Sequence, residues 1–353
     1  MPVFNAGPLL RESIESILRQ SYSDFEFLIV NDGCTDESPR IIEEYAKFDN
    51  RIVVLENERP GLVNALNSGL QAASGEYIAR MDADDRSLPL RLESQVSFLD
   101  SNGDTFAVGT QIAPISAAGR RLRFRRPRFP VGEASMQHHM RQLTGVPIAH
   151  PTAMYRAAWI RKLGGYRVEF SRAEDIDLWF RAYEEHPLNN LQATLLEYRI
   201  HPSGVSRQFP REQARSSTRA VACHMLRANG KSEASVLNGP LTPDLVLTLK
   251  IPDQEKQLLY WSLLAVDSGE VSDNQLLEHS SRMSFALTKW KGWELTAARS
   301  AAMAAHGRLA LRYFRNGRIS PGVFLAFRAL AISPCRFIQL FALRLTASPI
   351  FCK

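Results

Sequence analysis

Three carboxylates in four residues, Asp82-Ala83-Asp84-Asp85, are the groups whose types and spacing most directly suggest chemistry. Crowded like charges repel unless a cation or an array of donors compensates them. Hard divalent ions such as Mg²⁺ and Mn²⁺ take oxygen ligands and keep positions open for substrate phosphates. An Asp-x-Asp at a strand end is therefore a natural clamp on a nucleotide diphosphate; a solvated acidic turn capping the next helix is the plain alternative. A second candidate is Asn31-Asp32-Gly33, with Asp36 close by. Its glycine permits a tight turn and its carboxylate can accept a donor from a base or ribose, although ordinary turns use the same residues. A third is Glu174-Asp175-Ile176-Asp177, ahead of the amphipathic run Leu178, Trp179, Tyr183. One carboxylate there could serve as general base toward a hydroxyl nucleophile, while acids at a helix start also simply favour its dipole. His150-Pro151-Thr152 and His201-Pro202-Ser203 each set a histidine against a proline in a loop context, where structural roles are the commoner ones. Arg80, Arg199 and Arg207 could meet phosphate, or stand solvated. No Ser/His/Asp order, P-loop or Gly-x-Gly-x-x-Gly is present, so acyl hydrolysis and ordinary nucleotide hydrolysis find no support.

These groups need a scaffold, and the first half of the chain supplies one by alternating helix and strand patterns. Leu10, Ile14, Ile17 and Leu18 mark one face of a helix over 9–20. Phe25–Val30 is a short apolar run bounded by Asp24 and by Asn31-Asp32-Gly33, which predicts a buried strand. A helix over 39–48, a strand over 51–55, a helix over 61–73 and a strand over 76–81 follow. Pro89 suits the first turn of a helix over 90–99, with Ser87 as its cap. Such alternation predicts a mostly parallel sheet with helices on both faces, and ligands bind beyond the carboxyl ends of its strands. Asn31-Asp32-Gly33 and Asp82–Asp85 both fall at such ends. The Arg- and Pro-rich stretch within 113–130 reads as a loop or hairpin. A strand over 149–155, helices over 157–163 and 174–185 and a strand over 192–200 complete the half. From about residue 211 only helical patterns remain, which places a boundary near 210.

With 353 residues the chain has room for about two domains. A share of 45 % apolar and 23 % charged residues excludes a disordered chain, a collagen-like repeat and a disulfide mini-protein. The net charge of +6 invites a nucleic-acid reading until its position is considered. Residues 295–353 hold nine basic and no acidic side chains, whereas the first 294 hold 34 basic against 37 acidic, a net −3. The four cysteines are scattered, without a Cys-x-x-Cys pair, which favours a reduced cytosolic setting over structural zinc.

Several fragments then converge. Pro2-Val3-Phe4-Asn5-Ala6, Ile29–Asp36 and Ala79–Asp85 resemble glycosyltransferase family 2, and so do His150–Met154, Gly164-Gly165-Tyr166, Glu174–Trp179 and Tyr198–Pro202. The ordered set covers roughly residues 1–207. The resemblance implies a GT-A fold, a Rossmann-like α/β domain with a mixed, mostly parallel sheet over 1–210; the helical extension read over 211–353 lies outside it. It also implies an inverting transferase acting on a nucleotide-diphosphate sugar. By that resemblance Asp32 and the loop of Pro2, Phe4 and Asn5 hold the nucleoside, with Arg80 also toward the nucleotide. Asp82 and Asp84 serve the diphosphate and an Mn²⁺ or Mg²⁺ ion, Asp84 as the direct ligand and His201 toward the metal. Asp175 is the general base. Two features depart from the family's usual pattern. An apolar strand ordinarily precedes the Pro-x-x-Asn segment, so a start upstream of Met1 or a truncation is expected, with an open sheet edge beside the nucleotide site. Cys34 stands where a serine is usual.

The acceptor implied is a glycan or lipid-linked hydroxyl in cell-surface polysaccharide synthesis. The acid-free tail, pairing apolar runs with arginines, suits the surface of an anionic membrane, placing the protein on the inner face of the plasma membrane. Its alternative is a helical subdomain with a solvated basic face. Two rival functions are a GT-A-fold protein that binds nucleotide sugars without turnover, and a nucleic-acid binder built on the tail. The intact acidic clusters speak against the first, and the lack of an aromatic–basic recognition motif speaks against the second.

Overall fold

The structure, a computed structural model, describes residues 1–122, 128–141, 143, 146–201 and 208–267. Arg207, Pro202, Ser203 and the basic tail lie outside these residues. The chain divides into two compact units, residues 1–140 with 145–213, and residues 141–144 with 214–353.

The first unit opens with β1 (Pro2–Val3), α1 (Leu9–Leu18), β2 (Phe27–Asn31), α2 (Ser38–Phe48) and β3 (Ile52–Glu56). Helices of ten and eleven residues are long enough for crossovers, and the three strands pair in parallel in the order β1-β2-β3. Leu10, Ile14 and Ile17 turn one stripe of α1 into a core shared with Ile29, Ile41 and Ile42. Each such burial contributes about 1.5–3 kcal/mol. This parallel layer is the part where the expected strands and helices agree with the observed ones to within two or three residues at their ends.

Next come α3 (Leu62–Ala72), β4 (Tyr77–Ala79), β5 (Arg86–Ser87), α4 (Arg91–Ser101), β6 (Ala107–Ser116), α5 (Glu133–Arg141), β7 (Met154–Arg156), α6 (Ala157–Lys162), α7 (Glu174–Glu185) and β8 (Leu188–Ile200). The five strands form a second sheet in the order β4-β7-β6-β8-β5. Here only β6 and β8 run parallel; β4 with β7, β6 with β7 and β5 with β8 are antiparallel. The α/β class holds and the strand directions are mixed, as expected of a GT-A fold, with the parallel pairs in the first layer and in one pair of the second. β4 and β5 stand at opposite edges of this sheet and run in opposite senses, so residues 80–85 carry the chain across and reverse it at the acidic cluster.

The long strand β6 lies partly where a loop or hairpin was expected. It is buried along nearly its whole length and so shows no period-two alternation, and Gly109 and Pro114 punctuate it. The hairpin itself is shorter, over 116–121, closed by Ser116 N donating to Arg120 O (2.9 Å) with Gly119 at φ +72°. His150–Thr152, read as the start of a strand, forms a 3-10 turn ahead of β7, and α5 was not foreseen. Beside β1, β2 and β4 lies a cleft of about 730 Å³, lined among others by Pro2, Leu28, Ala79, Tyr155 and Tyr166.

The described part of the second unit is helical, as the pattern from 211 predicts: α8 (Pro210–Ala228), α9 (Ala234–Leu237), α10 (Pro243–Thr248) and α11 (Asp253–Asp267). Cys223, Leu226, Val236, Val246 and Leu259 are buried in it. Among the described residues no helix is long and apolar enough to cross a membrane.

Candidate active site

The first wall is made by the loops that leave β1 and β2. Asn5 sits at φ +48°, a left-handed conformation that asparagine tolerates better than most side chains. Its Oδ1 accepts from Thr35 N (2.8 Å), and Gly7 N donates to Asp36 Oδ2 (2.8 Å), so the two loops are zipped together. Phe4 stands 64 % exposed at the rim, a free aromatic face. Pro2 lies one step back, inside β1 opposite Val30. Asp32 is buried at the end of β2 and is held by residues that sequence reasoning missed. Asn57 Nδ2 donates to its Oδ1 (2.6 Å), and so does Gly61 N (2.9 Å). Gly61 caps α3 at φ +123°, a conformation open to glycine alone. The Pro60-Gly61 turn signal could have flagged this loop, though not its partner.

The second wall is the sharp turn after β4. Arg80 N donates to Ala153 O (2.8 Å), and its buried guanidinium pairs with Asp82. Under the turn lies Arg91, a fully buried side chain that the sequence reading passed over. Its guanidinium donates to Arg80 O (2.6 Å), Ser87 Oγ (2.9 Å) and Gln95 Oε1 (3.0 Å). Burial, reinforced by the charge of Arg80, brings Arg91 down to about 10. Asp84 Oδ2 lies 2.7 Å from His201 Nε2, just past the end of β8. Asp85 is buried; its Oδ1 accepts from Arg199 N (2.7 Å) and its carbonyl accepts from Ser13 Oγ (2.7 Å).

One carboxylate oxygen from each of Asp82, Asp84 and Asp85 lies within 4.8 Å of the others. Burial raises Asp82 above the usual carboxylate range, with Arg80 opposing and Asp84 adding to the rise. Burial, then the charges of Asp82 and Asp84, hold Asp85 well above it. Among the described residues nothing donates to Asp85 Oδ2. A crowded trio of hard oxygen donors with one orphaned buried atom fits a divalent cation.

The third side is the start of α7. Its three acids have separate fates. Asp177 is buried and locked by Arg167 and by Arg181, whose Nε donates to it (2.9 Å) while a terminal nitrogen donates to Gly165 O (2.7 Å). It anchors the helix and is not available for chemistry. Asp175 is half-buried, with Oδ1 accepting from Ile176 N (2.8 Å), and burial raises its carboxyl. Glu174 is buried, its Oε2 lacks a donor among the described residues, and burial followed by the charge of Asp175 pushes it up to about 7. Arg172, at φ +72°, bends the chain into this helix start. His150 is buried beside the same cluster, where burial, then Arg80, drives it well below its usual value. As a neutral ring it contacts Tyr166 Oη (2.7 Å), which meets Tyr155 Oη (2.6 Å). His150 thus belongs to the packing beneath the site, the structural role expected of it.

Arg80 unites the two acidic clusters. Its charge acts on Asp82 and also on Glu174 and Asp175, more than ninety residues away in the chain. The acidic turn after β4 and the start of α7 therefore lie within the field of one buried arginine. The Asp82–Asp85 carboxylates, which could hold a cation, and the raised carboxyls of Glu174 and Asp175 make this a candidate group-transfer site on a GT-A-like α/β scaffold.

The comparisons with known proteins place that scaffold. Residues 1–164 match the model of glycosyl transferase family 2. The O-antigen biosynthesis glycosyltransferase WbnJ of Escherichia coli is 39 % identical over 197 residues, 54 % of this chain and 73 % of its own length. EpsE of Bacillus subtilis (strain 168), which carries a provisional glycosyltransferase name, is 39 % identical over 204 residues, 56 % of this chain and 71 % of its own. A mannosyltransferase from Pyrobaculum calidifontis, solved with GDP-Man and Mn²⁺, superposes with a TM-score of 0.50 at 18 % identity, covering 86 % of this chain and 85 % of that one. The chain belongs to glycosyltransferase family 2, as the sequence fragments implied.

Proposed function

We propose that the protein transfers a sugar, with inversion, from a nucleotide-diphosphate sugar to a hydroxyl of a glycan or lipid-linked acceptor in cell-surface polysaccharide synthesis. The observation that carries the reading is the crowded carboxylate trio Asp82, Asp84 and Asp85, with His201 on Asp84 and with Arg80, paired to Asp82, also bearing electrostatically on Glu174 and Asp175. An in-line displacement at a sugar carbon needs a base on the acceptor hydroxyl and neutralisation of the departing diphosphate. Asp175 takes the proton. It is half-buried and accessible, whereas Glu174 beside it is buried and Asp177 is sealed in ion pairs. Asp32 accepts from the nucleoside, held in place by Asn57 and Gly61, with Phe4 and Asn5 forming the rim of that subsite and Pro2 supporting it from β1. Arg80 neutralises the nucleotide side and keeps Asp82 oriented.

Asp84 and Asp82, with His201 adjoining, would hold Mn²⁺ or Mg²⁺, which when bound supplies positive charge to the diphosphate. The O-antigen biosynthesis role of WbnJ and the Mn²⁺ in the mannosyltransferase complex support the polysaccharide context and the metal. A peripheral membrane contact through 308–353 completes the proposal, since it would keep the protein at the surface that carries a lipid-linked acceptor.

A thermal-shift series across nucleotide sugars, with and without Mn²⁺, tests the donor side. A donor at 100 times its Kd stabilises by about 2.7 kcal/mol. The shift should require Mn²⁺ and vanish in Asp84→Asn. Shifts that ignore both the metal and the variant would contradict the clamp.

A further inference from the structure

Arg199 carries a role that neither the phosphate reading nor the family resemblance gives it. Its side chain is wholly buried, and its fork is spent on protein acceptors. Nε donates to Asp84 O (2.6 Å), one terminal nitrogen to Ala117 O (2.8 Å) and Ser116 O (3.4 Å), and the other to Glu12 Oε2 (2.6 Å). Four acceptors leave little of a five-donor guanidinium for a ligand. Its own amide donates to Asp85 Oδ1 (2.7 Å). Period-two alternation puts residue 201 on the same side of the chain as 199, and His201 takes the carboxylate of the same Asp84 (2.7 Å). The end of β8 therefore grips the acidic turn three times: at the Asp84 carbonyl, at the Asp84 carboxylate and at the Asp85 carboxylate. Through the same guanidinium it ties that turn to α1 and to the 116–121 hairpin.

We propose that Arg199 is a positioning residue, which holds the Asp84 carboxylate in register for a divalent cation by fixing the main chain of the 82–85 turn. The proposal rests on the cation-clamp reading of Asp82 and Asp84. Partners that orient metal ligands without touching the metal are commonly worth 10- to 100-fold in affinity.

The test compares Arg199→Gln with Arg156→Gln. Arg156 is another arginine bound to carbonyls, of Leu99 (2.6 Å) and Thr105 (3.1 Å), remote from the turn in its hydrogen bonding. Mn²⁺ alone is titrated by electron paramagnetic resonance of the free ion, and hydrogen exchange is followed over residues 82–86, in the full chain. Arg199→Gln should weaken Mn²⁺ at least about tenfold and speed exchange over 82–86. Arg156→Gln should lose thermal stability while keeping wild-type values of both. If Arg199→Gln does not fold, Arg199→Lys replaces it. A lysine keeps the charge but cannot span the same acceptors, so it should fall between wild type and the expected glutamine effect. Equal Mn²⁺ affinity and equal exchange in the Arg199 and Arg156 variants would overturn the proposal. Should wild type bind no Mn²⁺, the clamp reading fails, and unchanged exchange over 82–86 would separately refute the positioning of the turn.

Discussion

Glu174→Gln should make the protein more stable at neutral pH, contrary to the usual effect of altering a buried site residue. Glu174 is buried, one of its oxygens lacks a donor among the described residues, and burial together with the charge of Asp175 raises it from 4.5 to about 7. The folded state thus binds the proton more tightly than the unfolded chain. Stability from this group is fully present below pH about 4.5 and is lost as pH rises through about 7. At about 1.4 kcal/mol per pH unit, the loss amounts to about 3 kcal/mol by pH 8. Glutamine is neutral throughout and has nearly the same shape. The variant should therefore match wild type near pH 4.5 and exceed it by about 3 kcal/mol at pH 8, which for a unit of this size is about 6–12 °C in Tm. Denaturation of both proteins between pH 4.5 and 8, in metal-free buffer, measures the difference directly. Parallel pH profiles would refute the reasoning, since they would mean that Glu174 titrates alike in the folded and unfolded chains.

Further substitutions probe separate parts of the account. Gly61→Ala forces a Cβ onto φ +123° and displaces the amide that holds Asp32. It should cost about 1–3 kcal/mol in denaturant titration and weaken nucleoside diphosphate binding. In Gly165→Ala, at φ +66°, the new Cβ would stand 2.7 Å from Asn67 Oδ1, which accepts from Tyr166 N. A loss of about 2–3 kcal/mol in Tm-derived stability is expected, and less than about 0.5 kcal/mol would contradict the packing. Asp177→Asn breaks a buried ion cluster with Arg167 and Arg181 and should cost about 3–5 kcal/mol. Removal of residues 308–353 should abolish flotation with anionic liposomes; equal flotation would end the membrane reading.

The acidic motifs were legible because their chemistry is local. Asp82–Asp85 sit beyond a strand end, and Glu174–Glu185 form a helix over the very residues its periodicity predicts. What makes these motifs a site is not local. Arg91, fully buried, reads in the sequence as an ordinary helical arginine, and only its contacts with Arg80 O, Ser87 and Gln95 show it to be the floor of the turn. Arg199 looked equally suited to phosphate until its acceptors were seen. Asn57 and Gly61 lie about 25–29 residues from Asp32 and meet it only because β2 and β3 pair in parallel. Strand direction in the second sheet was illegible for a related reason. Apolar periodicity reports which face is buried and says nothing of which way the neighbour runs. Gly109 and Pro114 hid β6, since a Gly or Pro within a strand reads first as a turn.

The central claim is that Asp175, and neither acid beside it, takes the proton from the acceptor. Its most direct measurement is nucleoside diphosphate release from the donor identified by thermal shift, with acceptor and Mn²⁺ saturating, in wild type and Asp175→Asn. The account predicts turnover lower by at least about 100-fold with donor affinity unchanged. Wild-type turnover in Asp175→Asn would contradict it.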